Sequence, residues 1–374
     1  MSSGLTIDPV QSSLPGGIAQ AVAGAQLPAV FRRDDPGGWD RALADLHYIP
    51  VTYSSAAIDY QLAYQRGHGG DWWDISLILR HDSRPCGVWP ISFSVKADTA
   101  SVTSYGFPVL PPLFVKGLRD RSRRNLIKRC LSLFAELCRA GRVDNPESAE
   151  SFADQSQSGL SEWHEQSMYG GATVVCRHEL FVDLSMEIEA IKAGFRKSYK
   201  SLVSSGVRMW QTGVMTEADP ALWNEFRELH LKVAGRVTRS PLSWELQHQA
   251  IVDRNALLVH LHNDHGGMVG GGFFSMTRDE GAYSVAAYDR SLFDKPLGHV
   301  VQYRAIEEMK KRGLRWYKIG SRPYPADLPA PTEKEISIGE FKHGFATHLF
   351  PQYVLRHHIK PAEPSPYLPV RSTQ

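Results

Sequence analysis

Apolar and polar positions divide the later half of the chain into a regular series of elements. Residues 257–262 form an apolar run, and the polar turn 263–267 separates it from a Gly-rich apolar run at 268–276. A second turn at 278–281 leads into residues 282–288. Runs of this length, bounded by Asn, Asp and Gly, predict strands joined as hairpins. Gly298 then opens a segment with apolar residues at helical spacing that ends at Gly313, and 315–319 returns to an extended pattern. A helix of that length can carry the chain back to lay its last strand parallel to the third.

The same order recurs about 180 residues earlier. Residues 74–80 alternate as a strand, 81–85 turn, 86–95 read as a second strand and 101–106 as a third. Three prolines within 107–112 forbid a helix there and make a rigid connection. Residues 118–140 then predict a helix with Leu126, Ile127, Cys130, Leu131, Phe134, Leu137 and Cys138 on one face, ended by Gly141. Residues 144–159 read as a polar loop and 179–184 as the last strand of this unit. Ser185 is placed to cap one continuous helix over 186–205, with Glu187 and Glu189 in its first turn and Gly206 as its stop. A strand at 207–214 and helices at 221–233 and 243–253 precede the core strands. The expected division is a flexible leader at 1–30, a first unit at 31–184, a second at 185–359 and a Pro-rich tail at 360–374.

Composition narrows the class. With 42% hydrophobic and 22% charged residues over 374 positions, the chain reads as a soluble globular protein with room for two cores. A formal charge of +2 gives no global field toward DNA or a membrane. No apolar run approaches the roughly 18 residues that span a bilayer. The four cysteines, Cys86, Cys130, Cys138 and Cys176, are scattered, which suits reduced thiols and a cytoplasmic setting. The histidines show no metal-ligand spacing, so no metal is expected.

Two motifs carry a family resemblance. Val182-Asp183-Leu184-Ser185 followed by Phe195-Arg196-Lys197-Ser198-Tyr199-Lys200 resembles the entry to the second unit of FemAB-type transferases, and Phe341-Lys342-His343-Gly344-Phe345 resembles their closing signature. The resemblance runs over roughly residues 48–353 and extends to the cellulose-biosynthesis-type acetyltransferases of the GNAT superfamily. It implies an α/β (α+β) fold of two tandem GNAT-like units, each a mixed, mostly antiparallel sheet flanked by helices. It also implies an N-acyltransferase with acyl-CoA as cosubstrate. The acceptor would be an amine of an amino sugar nucleotide or of a cell-envelope or exopolysaccharide precursor, whether small or lipid-linked. The alternatives are an aminoacyl-tRNA-dependent peptidoglycan aminoacyltransferase and a non-catalytic GNAT-like binding protein. Two departures stand out: the family's long coiled-coil insertion is absent, and its Gly-rich pyrophosphate turn is replaced. In that turn's place stand Lys295, Gly298, His299 and Val300, where helix-end amides and one lysine remain to meet a diphosphate.

Amide formation needs an uncharged amine, a held carbonyl and a donor for the oxyanion, with no covalent enzyme intermediate. Tyr288, Asp289, His299 and Tyr303 are the candidate acids and bases, read as facing one another across the strand–helix junction. Arg322 follows the parallel strand, where ligands collect in α/β sheets, and suits a phosphate or carboxylate. Arg236 and Arg239, in a loop before Trp244, suit an anionic acceptor, and Arg196 suits the cleft between the units. Glu335 and Lys342, seven residues apart, share one helical face. The cluster Arg119, Arg121, Arg123, Arg124, Lys128 and Arg129 is the candidate tRNA surface.

Overall fold

The computed structural model describes residues 14–150 and 160–359. The described residues open with α1 (Gly16–Gly24), β1 (Ala29–Phe31), α2 (Pro36–Ala44) and α3 (Ser55–Gly67). Six strands follow: β2 (Asp71–Asp74), β3 (Leu77–His81), β4 (Arg84–Trp89), β5 (Ser92–Lys96), β6 (Thr99–Thr103) and β7 (Leu113–Phe114). They pair antiparallel in two sheets, ordered β1-β3-β4-β7 and β2-β5-β6. Helix α4 (Asp120–Gly141) buries Leu126, Ile127, Cys130, Phe134, Leu137 and Cys138 in the core of this unit.

The chain continues through β8 (Glu147–Ala149), α5 (Glu162–Tyr169), β9 (Thr173–Asp183), α6 (Ile188–Gly194), α7 (Lys197–Met209) and β10 (Gln211–Met215). Helices α8 (Pro220–Ala234) and α9 (Pro241–Val252) each start with Pro after a capping Asp219 or Ser240, whose side chain accepts from a first-turn amide. Then come β11 (Ala256–His262), β12 (Met268–Met276), β13 (Glu280–Tyr288), α10 (Leu297–Lys311), β14 (Trp316–Ser321), α11 (Glu333–His343) and β15 (His348–Arg356). Their sheet has eight strands in the order β10-β11-β12-β13-β14-β9-β15-β8. All pairs are antiparallel except β13–β14. The strands β11 and β12 are covered on both faces, since alternate residues along a strand point to opposite sides. On β11, Leu257, Val259 and Leu261 pack toward α7 and α10, while Ala256 and Leu258 pack toward α8 and α9.

Two mostly antiparallel, helix-flanked units are thus present, and the first divides its strands between two sheets. The chain division at 184 is not a division in space, because β8 and β9 lie in the sheet of the later residues.

Several local expectations are corrected. Residues 86–95 are two strands broken at Pro90, which has no N–H to donate to a ladder. Helix 186–205 is two helices, and the break at Phe195-Arg196 is held by the Arg196 amide donating to Gly344 O at 2.9 Å. Ser185 caps neither; its hydroxyl donates to Asp183 at 2.6 Å. Gly206 lies inside α7, whereas Gly141 is the last residue of α4, followed by the left-handed Arg142. The expected leader contains α1, whose Ile18 is buried against α4. Residues 1–13, part of the loop (151–159) and the Pro-rich tail (360–374) lie outside the described residues.

The basic cluster on α4 is partly tied down. Arg123 pairs with Asp120 at 2.9 Å, Arg124 with Glu162 at 3.0 Å, and Arg129 donates to Gln26 O at 2.9 Å. Among the described residues no helix is long and apolar enough to cross a membrane, and no group of His, Cys, Asp and Glu is placed to hold a metal ion. All four cysteines are unbonded.

Candidate active site

The eight-stranded sheet opens between β13 and β14. Their parallel pairing covers only Glu280–Trp316, Gly281–Tyr317 and Ala282–Lys318. Just beyond it each strand slips by one residue against its other neighbour, at Ser284 on β13 and at Ile319 on β14. Such bulges bend a strand and release it from pairing. The two strands therefore part at Tyr283 and Ile319.

Helix α11 sends Lys342 into this opening. Gly320 has φ +131°, and a Cβ there would sit 2.7 Å from the Lys342 Nζ, so both backbone and space call for glycine. The ammonium lies 5.5 Å from the centre of the Tyr283 ring. Among the described residues no carboxylate pairs with it, and burial pushes its pKa down. Behind the ring, the Tyr283 and Tyr288 hydroxyls are 3.0 Å apart. Burial raises both phenols, so both are protonated at neutral pH.

A cleft of about 980 Å³ lies in front of the opening. Its walls are α3 with Tyr60 and Tyr64, the segment around Phe107, α9 with Gln247, and the face of α11 that carries Glu335, Ile338 and Lys342. Its floor is β13, β14 and β9, with Glu280, Lys318 and Glu179. Lys318 Nζ pairs with Glu179 at 2.5 Å. Glu280 accepts from the Tyr48 hydroxyl at 2.7 Å and the Val51 amide at 3.0 Å, which docks the first unit on the sheet. Burial raises the Glu280 carboxyl to about 7, with Lys318 opposing. Burial would lower the Lys318 ammonium, but Glu179 and Glu280 together push it up.

Four of the anticipated residues, Arg239, Arg322, Glu335 and Lys342, meet in this cleft. Arg239 donates to the Tyr60 hydroxyl at 3.0 Å and lies over the Tyr64 and Trp244 rings, 5.6 and 5.3 Å from their centres. No carboxylate among the described residues pairs with it. Trp244 is buried behind it. Arg322 rests on Tyr324, 4.5 Å from the ring centre, with Glu340 3.6 Å away. Glu335 closes a capping box with Thr332. Arg236 is exposed and does not line the cleft. Arg196 also stays outside it, donating to Glu340 O at 3.1 Å.

The four candidate acids and bases do not converge. Asp289 caps the turn after β13, and Lys232 (2.9 Å) and Ser291 hold its pKa at about 2, too low for a proton acceptor at neutral pH. His299 is packed edge-on against Tyr199, 4.5 Å between ring centres, and burial lowers it to about 4, so its imidazole is neutral. Tyr303 points to Phe195 and Lys192 on the far side of α10. Tyr288 is the member nearest the opening.

The first turn of α10, anticipated as the diphosphate seat, carries no side-chain cap. Lys295 is paired with Asp294 at 2.8 Å and Val300 is fully buried. The Phe341 ring lies 3.0 Å from where a Gly298 Cβ would sit. None of Lys295, Gly298, His299 and Val300 lines the cleft.

Tyr283, Glu280, Lys318, Glu179 and Tyr60 were not anticipated. A charged residue inside an otherwise apolar strand, Lys318, was the available signal, whereas Glu280 read as part of the turn before β13. The placing of Glu179 beside them depends on the insertion of β9 next to β14.

No family profile and no curated protein sequence matches this chain. Solved structures do. FemX superposes with a TM-score of 0.56 at 11% identity, covering 91% of this chain and 96% of that one. L-PGS from Bacillus licheniformis gives 0.55 at 14% identity, covering 87% and 93%. The C-terminal domain of a protein described as a lysylphosphatidylglycerol synthetase, from Agrobacterium fabrum, gives 0.54 at 11% identity, covering 87% and 92%. The chain therefore shares the overall fold of these three structures.

Proposed function

We propose that this chain is a GNAT-type N-acyltransferase that joins an acyl group to an amine in the cleft where β13 and β14 part. The observation that carries this reading is Lys342, a half-buried, partly desolvated ammonium with no carboxylate partner among the described residues, at the place where β13 and β14 part. Uncompensated buried charge is costly and concentrates at functional sites.

The chemistry follows from the lining. Glu179 and Glu280 outnumber Lys318 on the floor by one charge when both are ionised, which draws in the ammonium form of the acceptor, and this gives up one proton to solvent before it attacks. The amine nitrogen attacks the acyl carbonyl at the opening, and the Lys342 ammonium faces the oxygen that becomes negative. A C–N bond forms, the bond from carbonyl to leaving group breaks, and the amine proton goes out with the leaving group. No enzyme-bound intermediate is needed.

The residues at 31–184 would form the acceptor side and those at 185–359 the donor side, with Arg239 and Arg322 holding anionic parts of the substrates. Acyl-CoA is the proposed donor, and an envelope or exopolysaccharide precursor bearing an amine is the proposed acceptor. A second reading, an aminoacyl-tRNA donor, is favoured by Phe341 lying against Gly298 on the anticipated diphosphate seat.

Thermal-shift and direct-binding measurements with acetyl-CoA and with charged tRNA test this. Binding of one donor, weakened at least tenfold by Lys342→Met, supports the reading. Binding of neither donor supports a non-catalytic protein and sinks it.

A further inference from the structure

Three large apolar side chains that line this cleft are exposed. Phe107, Leu328 and Ile338 are 56%, 61% and 44% accessible. Single exposed apolar residues are ordinary, but three sharing one mouth mark a surface that an apolar group covers. Leu246, Pro108 and Pro329 line the same cleft and extend that character.

Helix α11 sets the order from solvent inward. Ile338 and Lys342 are four residues apart, so they stand on one face about 6 Å apart along the axis. Ile338 is exposed at the outer end, and Lys342 is turned into the opening of the sheet. Arg322 lines the cleft near Lys342, since Gly339 of α11 packs on Pro323. The mouth is therefore apolar, and the inner end holds Lys342 and Arg322 beside the floor of Glu179, Lys318 and Glu280. A nucleotide sugar would leave that mouth uncovered and place polar groups against it.

We infer that the cleft takes an anionic amphiphile, with its head group at Arg322, beside Lys342, and its apolar chain running out over Ile338, Leu328 and Phe107. This rests on the cleft being the substrate cleft, and it narrows the substrate to a molecule with a hydrocarbon chain.

Calorimetric titration with butyl, hexyl, octyl and decyl phosphate, all below their micelle concentrations, tests it. Each added methylene is expected to raise affinity about two- to fourfold, as burial of a CH₂ group does. The double variant Phe107→Ser, Leu328→Ser should flatten that dependence, and since both positions are exposed the fold should survive. Arg322→Gln should weaken every chain length by a similar factor and leave the dependence intact. Affinities for butyl and decyl phosphate within twofold of each other would overturn the inference. So would a chain-length dependence unchanged in the double variant, or equal binding of the corresponding alkyl alcohols, which would remove the anionic head. The titration contains no acyl donor. A chain-length dependence without any transferase activity would sink the proposed reaction alone, and activity without the dependence would sink only this inference.

Discussion

The Lys342 ammonium lies 5.5 Å from the centre of the Tyr283 ring, at the point where β13 and β14 stop pairing. A ring face attracts a cation but replaces little of the water the ammonium has lost. Everything else on the cleft floor is compensated: Lys318 has Glu179, and Glu280 has Tyr48 and Val51. Among the described residues, Lys342 thus lacks a carboxylate partner at the point where the sheet is open.

Lys342→Met is expected to leave stability unchanged or raise it by up to about 2 kcal/mol, because it removes a desolvated charge and keeps the apolar stem. Denaturant unfolding checks this. A loss of stability would mean that the ammonium has a partner in solution.

Gly320→Ala should cost about 1–3 kcal/mol, since the residue holds φ +131° and its Cβ would meet the Lys342 Nζ at 2.7 Å. Combined with Lys342→Met, the cost should fall by at least a third, because the collision is gone and the backbone strain remains. A double-mutant cycle by urea unfolding measures this coupling, and strict additivity would contradict it.

The core strands were legible because turns of Asn, Asp and Gly separate apolar runs of strand length, and β11, β12 and β13 came within a few residues of their observed limits. The break between α6 and α7 was not, because it is fixed by the Arg196 amide reaching Gly344, far along the chain. The cleft was legible only in part. Lys342, Glu335, Arg322 and Arg239 stood out as charged residues in telling places. Tyr283 was hidden as one more aromatic in a strand. Glu179 was hidden because no local pattern says that β9 inserts beside β14, and Tyr60 because it meets Arg239 across 179 residues of sequence.

Gly206→Ala should invert a familiar rule. Replacing an interior helical glycine by alanine usually stabilises by about 1 kcal/mol. Here the new Cβ would collide with Val300 and lie 2.8 Å from Pro296 Cγ, at the seam between α7 and α10. A loss of about 1–3 kcal/mol is expected. A higher melting temperature for the variant would contradict the packing described.

Glu280 gives a pH dependence of definite sign. Burial raises its carboxyl from 4.5 to about 7, so between those values the folded chain holds a proton that the unfolded chain has released. Stability contributed by this group is therefore full below 4.5 and falls as pH rises through about 7, by at most about 3 kcal/mol. His299 acts oppositely: lowered from 6.5 to about 4, it favours folding above 6.5 and loses that contribution as pH falls toward 4. Comparing wild type with Glu280→Gln isolates the first effect. The melting temperature of the variant should gain on wild type steadily from pH 4.5 to pH 7, and a constant difference would contradict the assignment.

The most direct test of the whole account is a product assay. The protein would be incubated with a panel of amines, including amine-bearing lipid and sugar phosphates, and with either acetyl-CoA or aminoacyl-tRNA, and N-acylated products sought by mass spectrometry. The account predicts an amide product with one of the two donors, reduced about a hundredfold or more in Lys342→Met, as loss of an oxyanion partner reduces turnover. Product formed equally by the Lys342→Met variant, or no product from either donor, would contradict it.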